Sequence, residues 1–265
     1  MHVSRLVVLL VVLLSGCGSS DSQTDTSKPV YPEGPITGSN LPIPDNSTRD
    51  AYNILLFGNS HIVGLASIIN TLVSHTLPVK PMSMREASSQ RYLDERLDDG
   101  VSLPLLQSED WSHVILQAQK YSQSGAVDYS TVATQRWAQL SKEQQATPIL
   151  FPEHPQRGRT KEGQRVYDLH AGIAALQAAC VAPIGPVWDK VIALRPELEL
   201  YHADGNHASA LGKFLSALVF YQIITGQSAD LLPYIASLDV EAEIQDFFGQ
   251  IVSELILANP PCRQY

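Results

Sequence analysis

The chain has 265 residues, of which 44% are hydrophobic, and it carries a formal net charge of −9. This acidic balance, without a basic run or interleaved aromatic and basic residues, argues against nucleic acid as a partner. From residue 50 onward the chain is long enough for one domain with a sizeable core.

The first residues are predicted to be a secretory signal. One basic residue, Arg5, precedes nine apolar residues, Leu6 to Leu14. At about 1.5 Å per residue, such a run cannot cross a hydrocarbon core of roughly 30 Å. Leu14-Ser-Gly-Cys17 resembles a bacterial lipobox, which implies cleavage before Cys17 and lipid on that cysteine. The alternative is an ordinary secreted protein in which this cysteine occurs by chance.

The residues after Cys17 are predicted to form a linker. Residues 18–49 are rich in Ser, Thr, Asp, Pro and Gly, and they carry too few aliphatic side chains to bury a core. We therefore expect a signal peptide over 1–16, a lipidated N-terminus and flexible linker over 17–49, and a catalytic domain over 50–265. Gly18 after the cysteine implies, by the same lipobox resemblance, the outer membrane of a bacterial cell envelope, facing the periplasm or the surface. The lipid on Cys17 would be the membrane contact.

Two cysteines remain in the domain. Cys180 and Cys262 could pair in an oxidising envelope, or both could be buried free thiols. The sequence does not show how far apart they lie.

Apolar runs alternate with segments of helical periodicity along the domain. Strands are predicted at Tyr52–Phe57, Pro78–Met84, Ser112–Gln117, Thr147–Phe151 and Val181–Ile184. Helices are predicted at Ile62–His75, Ser88–Leu97, Tyr129–Gln145, Lys161–Ala179, Ser209–Thr225 and Val240–Leu257. This alternation predicts an α/β fold with a doubly wound parallel sheet of about five strands and helices on both faces. Ligands bind such sheets beyond the carboxyl ends of the strands.

Ser60 lies where the first strand turns into a helix, in the segment Gly58-Asn-Ser60. Backbone N–H groups at a helix start favour negative charge, so the N–H of Ser60 could stabilise an oxyanion in acyl transfer. Gly58 would permit the tight turn. The structural alternative is that Ser60 only caps the helix.

An acid and a histidine three residues apart complete the parts of a nucleophilic hydrolase. Asp204 could hold Nδ1 of His207 and leave Nε2 free to take a proton from Ser60. A capped helix start with a surface histidine is one alternative. Metal binding by His202, Asp204 and His207 is another, but no cysteine cluster or second ligand group accompanies them. We expect neither a metal nor a cofactor.

At this point the sequence resembles the SGNH (GDSL-like) hydrolase superfamily, in a bacterial Gly-Asn-Ser branch. The similar blocks are Ile54-Leu-Leu-Phe-Gly-Asn-Ser60, Asp110-Trp-Ser-His-Val-Ile-Leu-Gln117, Val181-Ala-Pro-Ile-Gly-Pro-Val-Trp188 and Leu200-Tyr-His-Ala-Asp-Gly-Asn-His-Ala-Ser-Ala-Leu-Gly212. The resemblance covers nearly the whole domain. It implies a flavodoxin-like three-layer α/β/α sandwich with Ser60, Asp204 and His207 as the catalytic triad.

The oxyanion hole departs from the superfamily pattern. The usual second-block glycine is missing, so Ser88, or else Ala87, would have to donate its backbone N–H beside that of Ser60. The usual third-block asparagine is also missing. Gln117 is the favoured amide donor because it ends a strand, and Gln119 is the alternative.

Four residues are predicted to line the substrate cleft. Asn59 and His61 flank the nucleophile, Gln119 follows the third strand, and His154 follows the fourth. The loop that holds His154 could equally be an ordinary solvated loop.

The leading hypothesis is a serine ester hydrolase that acts through an acyl-enzyme on a small ester or an acylated carbohydrate. The incomplete oxyanion pattern motivates a second one, a carbohydrate-binding or scaffold lipoprotein with a degenerate site. An acyltransferase is a third. The sequence predicts no oligomeric state.

Overall fold

A computed structural model describes residues 40–88 and 90–262. The predicted signal peptide over 1–16, the lipidated Cys17 and the linker up to residue 39 lie outside the described residues. Within the described part of the chain, no helix combines the length and the apolar composition needed to cross a membrane.

Five parallel strands form one sheet. They are β1 Tyr52–Phe57, β2 Met82–Glu86, β3 His113–Gln117, β4 Thr147–Phe151 and β5 Cys180–Val181, in the spatial order β2-β1-β3-β4-β5. Because all pairs are parallel, the carboxyl ends of the strands share one edge, and the loops after β1 to β4 meet there. The predicted α/β class with a doubly wound parallel sheet is confirmed.

Helices cover both faces of the sheet. They are α1 Leu65–Ser74, α2 Leu93–Leu97, α3 Ser102–Leu106, α4 Val132–Glu143, α5 Glu162–Leu176, α6 Ile184–Leu194, α7 Ala210–Thr225 and α8 Ala242–Ala258. Alternate residues of β1 enter two separate cores, with Ile54 and Leu56 in one and Leu55 and Phe57 in the other. The first core is covered by α1, α6, α7 and α8, and the second by α2 to α5. This is a three-layer α/β/α sandwich.

Two strands have bounds that differ from the prediction, and prolines lie beside both. The second strand begins at Met82 rather than at residue 78, since Pro78 and Pro81 have no N–H to donate to a ladder. The predicted fifth strand ends early, because Ile184 begins α6. Pro186 stands in the first turn of this helix, where its missing N–H costs no hydrogen bond.

Residues 40–49 were assigned to the linker by sequence, and this boundary needs correction. Asn46 is buried and donates its side-chain amide to Ser112 O at 2.8 Å and to Thr147 Oγ1 at 3.0 Å. The buried Lys142 ammonium donates to Asn40 Oδ1, also at 2.8 Å. These polar contacts are made inside the fold, where composition alone does not reveal them. The packed domain therefore includes the chain from Asn40 onward.

A disulfide joins Cys180 to Cys262, with an S–S distance of 2.02 Å. It links β5 to the chain after α8. The backbone N–H of Val181 also donates to Pro261 O at 2.9 Å, so the tail runs along the end of β5.

Candidate active site

The first part of the site is the turn Gly58–Ser60, which we call the nucleophile turn. It follows β1 directly, and Ser60 begins a short 3₁₀ helix over Ser60–Ile62. A Cβ at Gly58 would lie 2.5 Å from Ile62 Cγ2 and 2.6 Å from Gln117 Oε1, so only glycine fits. The Asn59 side chain accepts the N–H of His61 at 3.1 Å and caps the turn. Ser60 is thereby presented at the carboxyl edge of the sheet.

The second part is the loop between Tyr201 and Ala208, which pair as an antiparallel bridge. We call it the histidine loop. Its tip turns through Gly205, whose φ of +70° is a left-handed conformation that favours glycine. Within the tip, Asp204 Oδ1 accepts the backbone N–H of His207 at 2.9 Å. Contacts within the histidine loop therefore fix Asp204 and His207 relative to each other, independently of Ser60.

A hydrogen-bonded chain connects the two parts. Ser60 Oγ lies 2.8 Å from His207 Nε2, and His207 Nδ1 lies 2.6 Å from Asp204 Oδ2. A carboxylate accepts only, so Nδ1 carries the proton and Nε2 presents its lone pair to the serine hydroxyl. The three residues predicted as a triad are therefore brought together in the order that nucleophilic catalysis requires.

The hydrogen bond from His207 holds the pKa of the Asp204 carboxyl well below its usual range, and the backbone N–H groups of His207 and Asn206 act in the same direction. Asp204 stays ionised, and its side chain is 45% exposed to water. The role of this carboxylate is to fix the ring and tautomer of His207. Solvent screens its charge, so its electrostatic support of an imidazolium is weaker than that of a buried acid.

Two further histidines pack behind His207. The ring of His61 stacks on that of His207 at a centroid distance of 4.9 Å, and His154 stacks on Trp188 at 4.0 Å. Burial lowers the pKa of His61 to about 3 and that of His154 to about 4. Both rings are therefore neutral at physiological pH, and a pKa this low makes them weak bases. They form one wall of the site.

Gln117 was predicted to donate its amide to the oxyanion, and the structure corrects this. Its Oε1 accepts the backbone N–H of Asn59 at 2.8 Å, and its Nε2 donates to Glu153 Oε1 at 2.7 Å. The side chain is fully buried. Gln117 thus supports the nucleophile turn from behind. The alternative, Gln119, is also committed, since its Nε2 donates to Lys120 O and Ser130 O.

The two backbone donors of the oxyanion hole, Ser60 and Ser88, stay a prediction. Ser60 is the first residue of a helical turn, where backbone N–H groups have no intrahelical partner. Ala87 is eliminated, because its N–H donates to Leu56 O at 2.9 Å. Ser88 follows it, and the N–H of Arg91 reaches Gly58 O at 3.3 Å, so this segment crosses the end of β1. Ser88 stays the predicted second donor.

A cavity of about 330 Å³ opens beside the nucleophile turn. Its lining residues are Asn59, His61, Tyr92, Gln119, Lys120, Tyr121, Gln123, Tyr129, Glu153 and Asn206. Three of the four residues predicted for the cleft are among them. The exception is His154, which is 4% exposed beneath the site and packs on Trp188. The walls combine amides, charged groups and tyrosine rings.

Sequence analysis places Glu153 in the loop after the fourth strand but does not show which groups its carboxyl contacts. The carboxyl is bound by Gln117 and by the hydroxyl of Tyr121. Burial raises the pKa of Glu153 to about 7. Its position two residues after β4, at the edge of the sheet where ligands bind, indicates a place near the site but not these contacts.

The metal alternative finds no support in the geometry. Asp204 Oδ2 is bonded to His207, whereas His202 Nδ1 stays 3.9 Å away. Among residues 40–88 and 90–262, no group of three or more His, Cys, Asp and Glu side chains is arranged to hold a metal ion.

No protein-family model matches this sequence, and no curated protein matches it. Solved structures do resemble it. A DUF4886 family protein from Bacteroides uniformis superposes with a TM-score of 0.64 at 13% identity, covering 81% of this chain and 98% of that one. A candidate SGNH hydrolase from Slackia heliotrinireducens gives 0.52 at 21% identity, covering 66% and 99%.

A catalytic mutant of Axe2, an acetylxylan esterase from Geobacillus stearothermophilus, gives a TM-score of 0.51 at 12% identity, covering 65% of this chain and 94% of that one. Identities this low establish a common fold and not a common activity. The chain therefore shares the α/β architecture of solved SGNH-type hydrolase and esterase structures.

Proposed function

We propose that this protein is a serine ester hydrolase of the SGNH type. The observation that carries the proposal is the chain of hydrogen bonds from Ser60 Oγ to His207 Nε2 and from His207 Nδ1 to Asp204 Oδ2. Nucleophile, base and orienting acid each have the partner that acyl transfer needs.

In this mechanism Ser60 Oγ attacks the ester carbonyl carbon while His207 Nε2 takes its proton. The N–H groups of Ser60 and Ser88 stabilise the oxyanion of the tetrahedral intermediate. The intermediate collapses, and the proton on His207 passes to the departing alkoxide, which leaves as the alcohol. Water then attacks the acyl carbon while His207 takes one of its protons. The second intermediate collapses, the bond from Ser60 Oγ to the acyl carbon breaks, and His207 returns the proton to Ser60 Oγ as the carboxylic acid leaves.

The substrate class we propose is a carbohydrate carrying acetyl or other small acyl groups. Support comes from the cavity beside Asn59, because its amides and tyrosine hydroxyls can exchange hydrogen bonds with sugar hydroxyl groups. The presence of an acetylxylan esterase among the structures with this fold favours the same class.

The activity test uses p-nitrophenyl acetate and an acetylated oligosaccharide. The purified domain should release acetate from both, and Ser60→Ala should reduce release to the background rate. Equal rates for the wild-type protein and Ser60→Ala would reject the proposal. Binding of the oligosaccharide without any ester cleavage would favour the degenerate carbohydrate-binding protein instead.

We further propose that lipid on Cys17 tethers the domain to the outer membrane of the cell envelope. The support is the lipobox resemblance of Leu14-Ser-Gly-Cys17 and the polar segment that follows it. Radiolabelled palmitate should enter the wild-type protein and not Cys17→Ala. A Cys17→Ala form that stays in the membrane fraction would reject the anchor.

A further inference from the structure

Glu153 lies just beyond the end of β4, between Gln117, which supports the nucleophile turn, and His61, which stacks on His207. Its side chain is 14% exposed, and Gln117 Nε2 donates to its Oε1 at 2.7 Å. The Tyr121 hydroxyl also hydrogen-bonds this carboxyl. Its other oxygen, Oε2, is 3.9 Å from His61 Nε2.

The contact with Gln117 has a fixed direction. The backbone N–H of Asn59 can only donate, so the end of the Gln117 amide that faces it must be Oε1, at 2.8 Å. The amide nitrogen therefore points the other way, toward Glu153, and requires an acceptor there. Glu153 Oε1 supplies this acceptor at a site where Gln117 is wholly buried and water cannot readily replace it.

The second oxygen of the Glu153 carboxyl, Oε2, faces His61. Because Oε1 is engaged as an acceptor, a proton on Glu153 belongs on Oε2, toward His61. Burial supports such a proton, since it raises the pKa of Glu153 to about 7 while it lowers that of His61 to about 3. The ring of His61 in turn stacks on His207 at 4.9 Å. Glu153 thus contacts Gln117, which holds the nucleophile turn, and lies beside His61, which stacks on His207.

We propose that Glu153 is a positioning residue that holds the nucleophile turn through Gln117 and supports the ring of His61 against His207. The inference rests on the proposed esterase function. Glu153 acts through its neighbours, and the hydrogen-bond acceptor at Oε1 is the feature that matters. A glutamine at this position keeps that acceptor and offers an N–H toward His61, whereas an alanine removes both.

The test compares Glu153→Ala and Glu153→Gln with the wild-type protein, using kcat on p-nitrophenyl acetate and the rate of fluorophosphonate labelling at Ser60. Displacement of the turn by Glu153→Ala should lower both rates about 10- to 100-fold. Glu153→Gln should stay within about threefold of the wild type, since it preserves the acceptor. Gln117→Ala should be as slow as Glu153→Ala, and the double variant no slower than either, because the two residues act in series.

A matched control is available on α4. There Gln139 Nε2 donates to Glu143 Oε1 at 2.8 Å, which is the same amide-to-carboxylate hydrogen bond as between Gln117 and Glu153. Glu143 is exposed, unlike Glu153. Glu143→Ala should leave both rates unchanged. A Glu153→Ala protein with wild-type rates would overturn the proposal. So would a folded Glu153→Gln protein as slow as Glu153→Ala, because the carboxylic acid itself would then be required.

Amide hydrogen exchange at Asn59 separates this inference from the proposed function. The Asn59 N–H is held by Gln117 Oε1, so its exchange should accelerate in Glu153→Ala and not in Glu153→Gln. This readout needs no catalysis. A wild-type protein that cleaves no ester would reject the esterase, while the exchange data would still decide whether Glu153 holds the turn. Unchanged exchange in Glu153→Ala would reject the positioning role.

Discussion

Ser60 and His207 are 147 residues apart in the chain, yet Ser60 Oγ and His207 Nε2 are separated by 2.8 Å. The parallel sheet makes this contact possible, because it brings the turn after β1 to the edge where the histidine loop closes. Asp204 then fixes the histidine from the far side at 2.6 Å.

The two partners of Ser60 should differ in importance. His207→Ala removes the base and should lower kcat on p-nitrophenyl acetate by roughly 10³–10⁴-fold. Asp204→Ala should cost less, about 10²-fold, since the carboxylate is half-exposed and its charge is screened. The exposed His202 provides the control, and His202→Ala should keep the wild-type rate. Comparable losses in His202→Ala and His207→Ala would contradict this assignment.

Gly58→Ala should damage the site more than the fold. The added Cβ meets Ile62 and Gln117 at 2.5 Å and 2.6 Å, so the nucleophile turn must move. Overpacking of this kind costs about 1–3 kcal/mol of unfolding free energy, and a displacement near 1 Å costs about 10²-fold in kcat. Urea unfolding and ester hydrolysis measure the two effects.

Gly172 on α5 is the matched control for that variant. A Cβ there meets nothing within 4 Å, so Gly172→Ala should raise the free energy of unfolding by about 0.5–1 kcal/mol and leave kcat unchanged. If Gly58→Ala behaved in the same way, the close packing of the nucleophile turn would be refuted.

The disulfide should contribute to stability and not to catalysis. Cys180 and Cys262 are separated by 82 residues, and loss of such a crosslink costs about 2–4 kcal/mol. For a domain of this size, the Cys180→Ala/Cys262→Ala variant should melt roughly 4–16 °C lower than the wild type. Hydrolysis well below the melting temperature should persist, because β5 holds no residue of the triad. An unchanged Tm would show that the crosslink is not formed in solution.

Acid should destabilise the protein through its buried histidines. Burial lowers the pKa of His61 and His113 to about 3 and that of His154 and His170 to about 4, from the ordinary histidine value of 6.5. Between these limits the unfolded chain binds more protons than the folded one, so the free energy of unfolding should rise with pH. Three carboxyls whose pKa is raised by burial, Glu153, Glu86 and Asp189, oppose this trend, but the four histidines outnumber them. Urea unfolding at several pH values across this range measures the slope, and a flat or falling curve would contradict it.

The strands that the sequence predicts most accurately are interior strands that end in an apolar run. The prediction for β1 and β4 matches the structure residue for residue, because both lie in the middle of the sheet and are buried on both faces. The long helices α4, α5, α7 and α8 were also predicted, with ends displaced by a few residues. Their amphipathic or fully apolar composition carries that information locally.

Two helices were missed for a common reason. Pro104 and Pro186 stand in the first turns of α3 and α6, and an internal proline reads as a helix breaker unless the start of the helix is known. Gly185 adds to the difficulty. A Cβ added at this position would lie 2.1 Å from Gly163 O. The close contact between α5 and α6 therefore requires glycine, and no local pattern reveals that contact.

The site shows the same division. Ser60, Asp204 and His207 could be found from sequence because each stands in a short motif whose local geometry is largely self-contained. The partners of Gln117 could not, since they depend on how Asn59 and Glu153 approach it from neighbouring strand ends. An amide at the end of a strand can face the substrate or the turn behind it, and only tertiary packing decides between them.

The most direct measurement of the central claim is fluorophosphonate labelling followed by peptide mass analysis. Ser60 is activated only if its hydroxyl proton passes to His207, so the wild-type protein should be labelled at Ser60. Ser60→Ala should take up no label and His207→Ala very little. A folded wild-type protein that remains unlabelled, or label that persists on another residue in Ser60→Ala, would contradict the account.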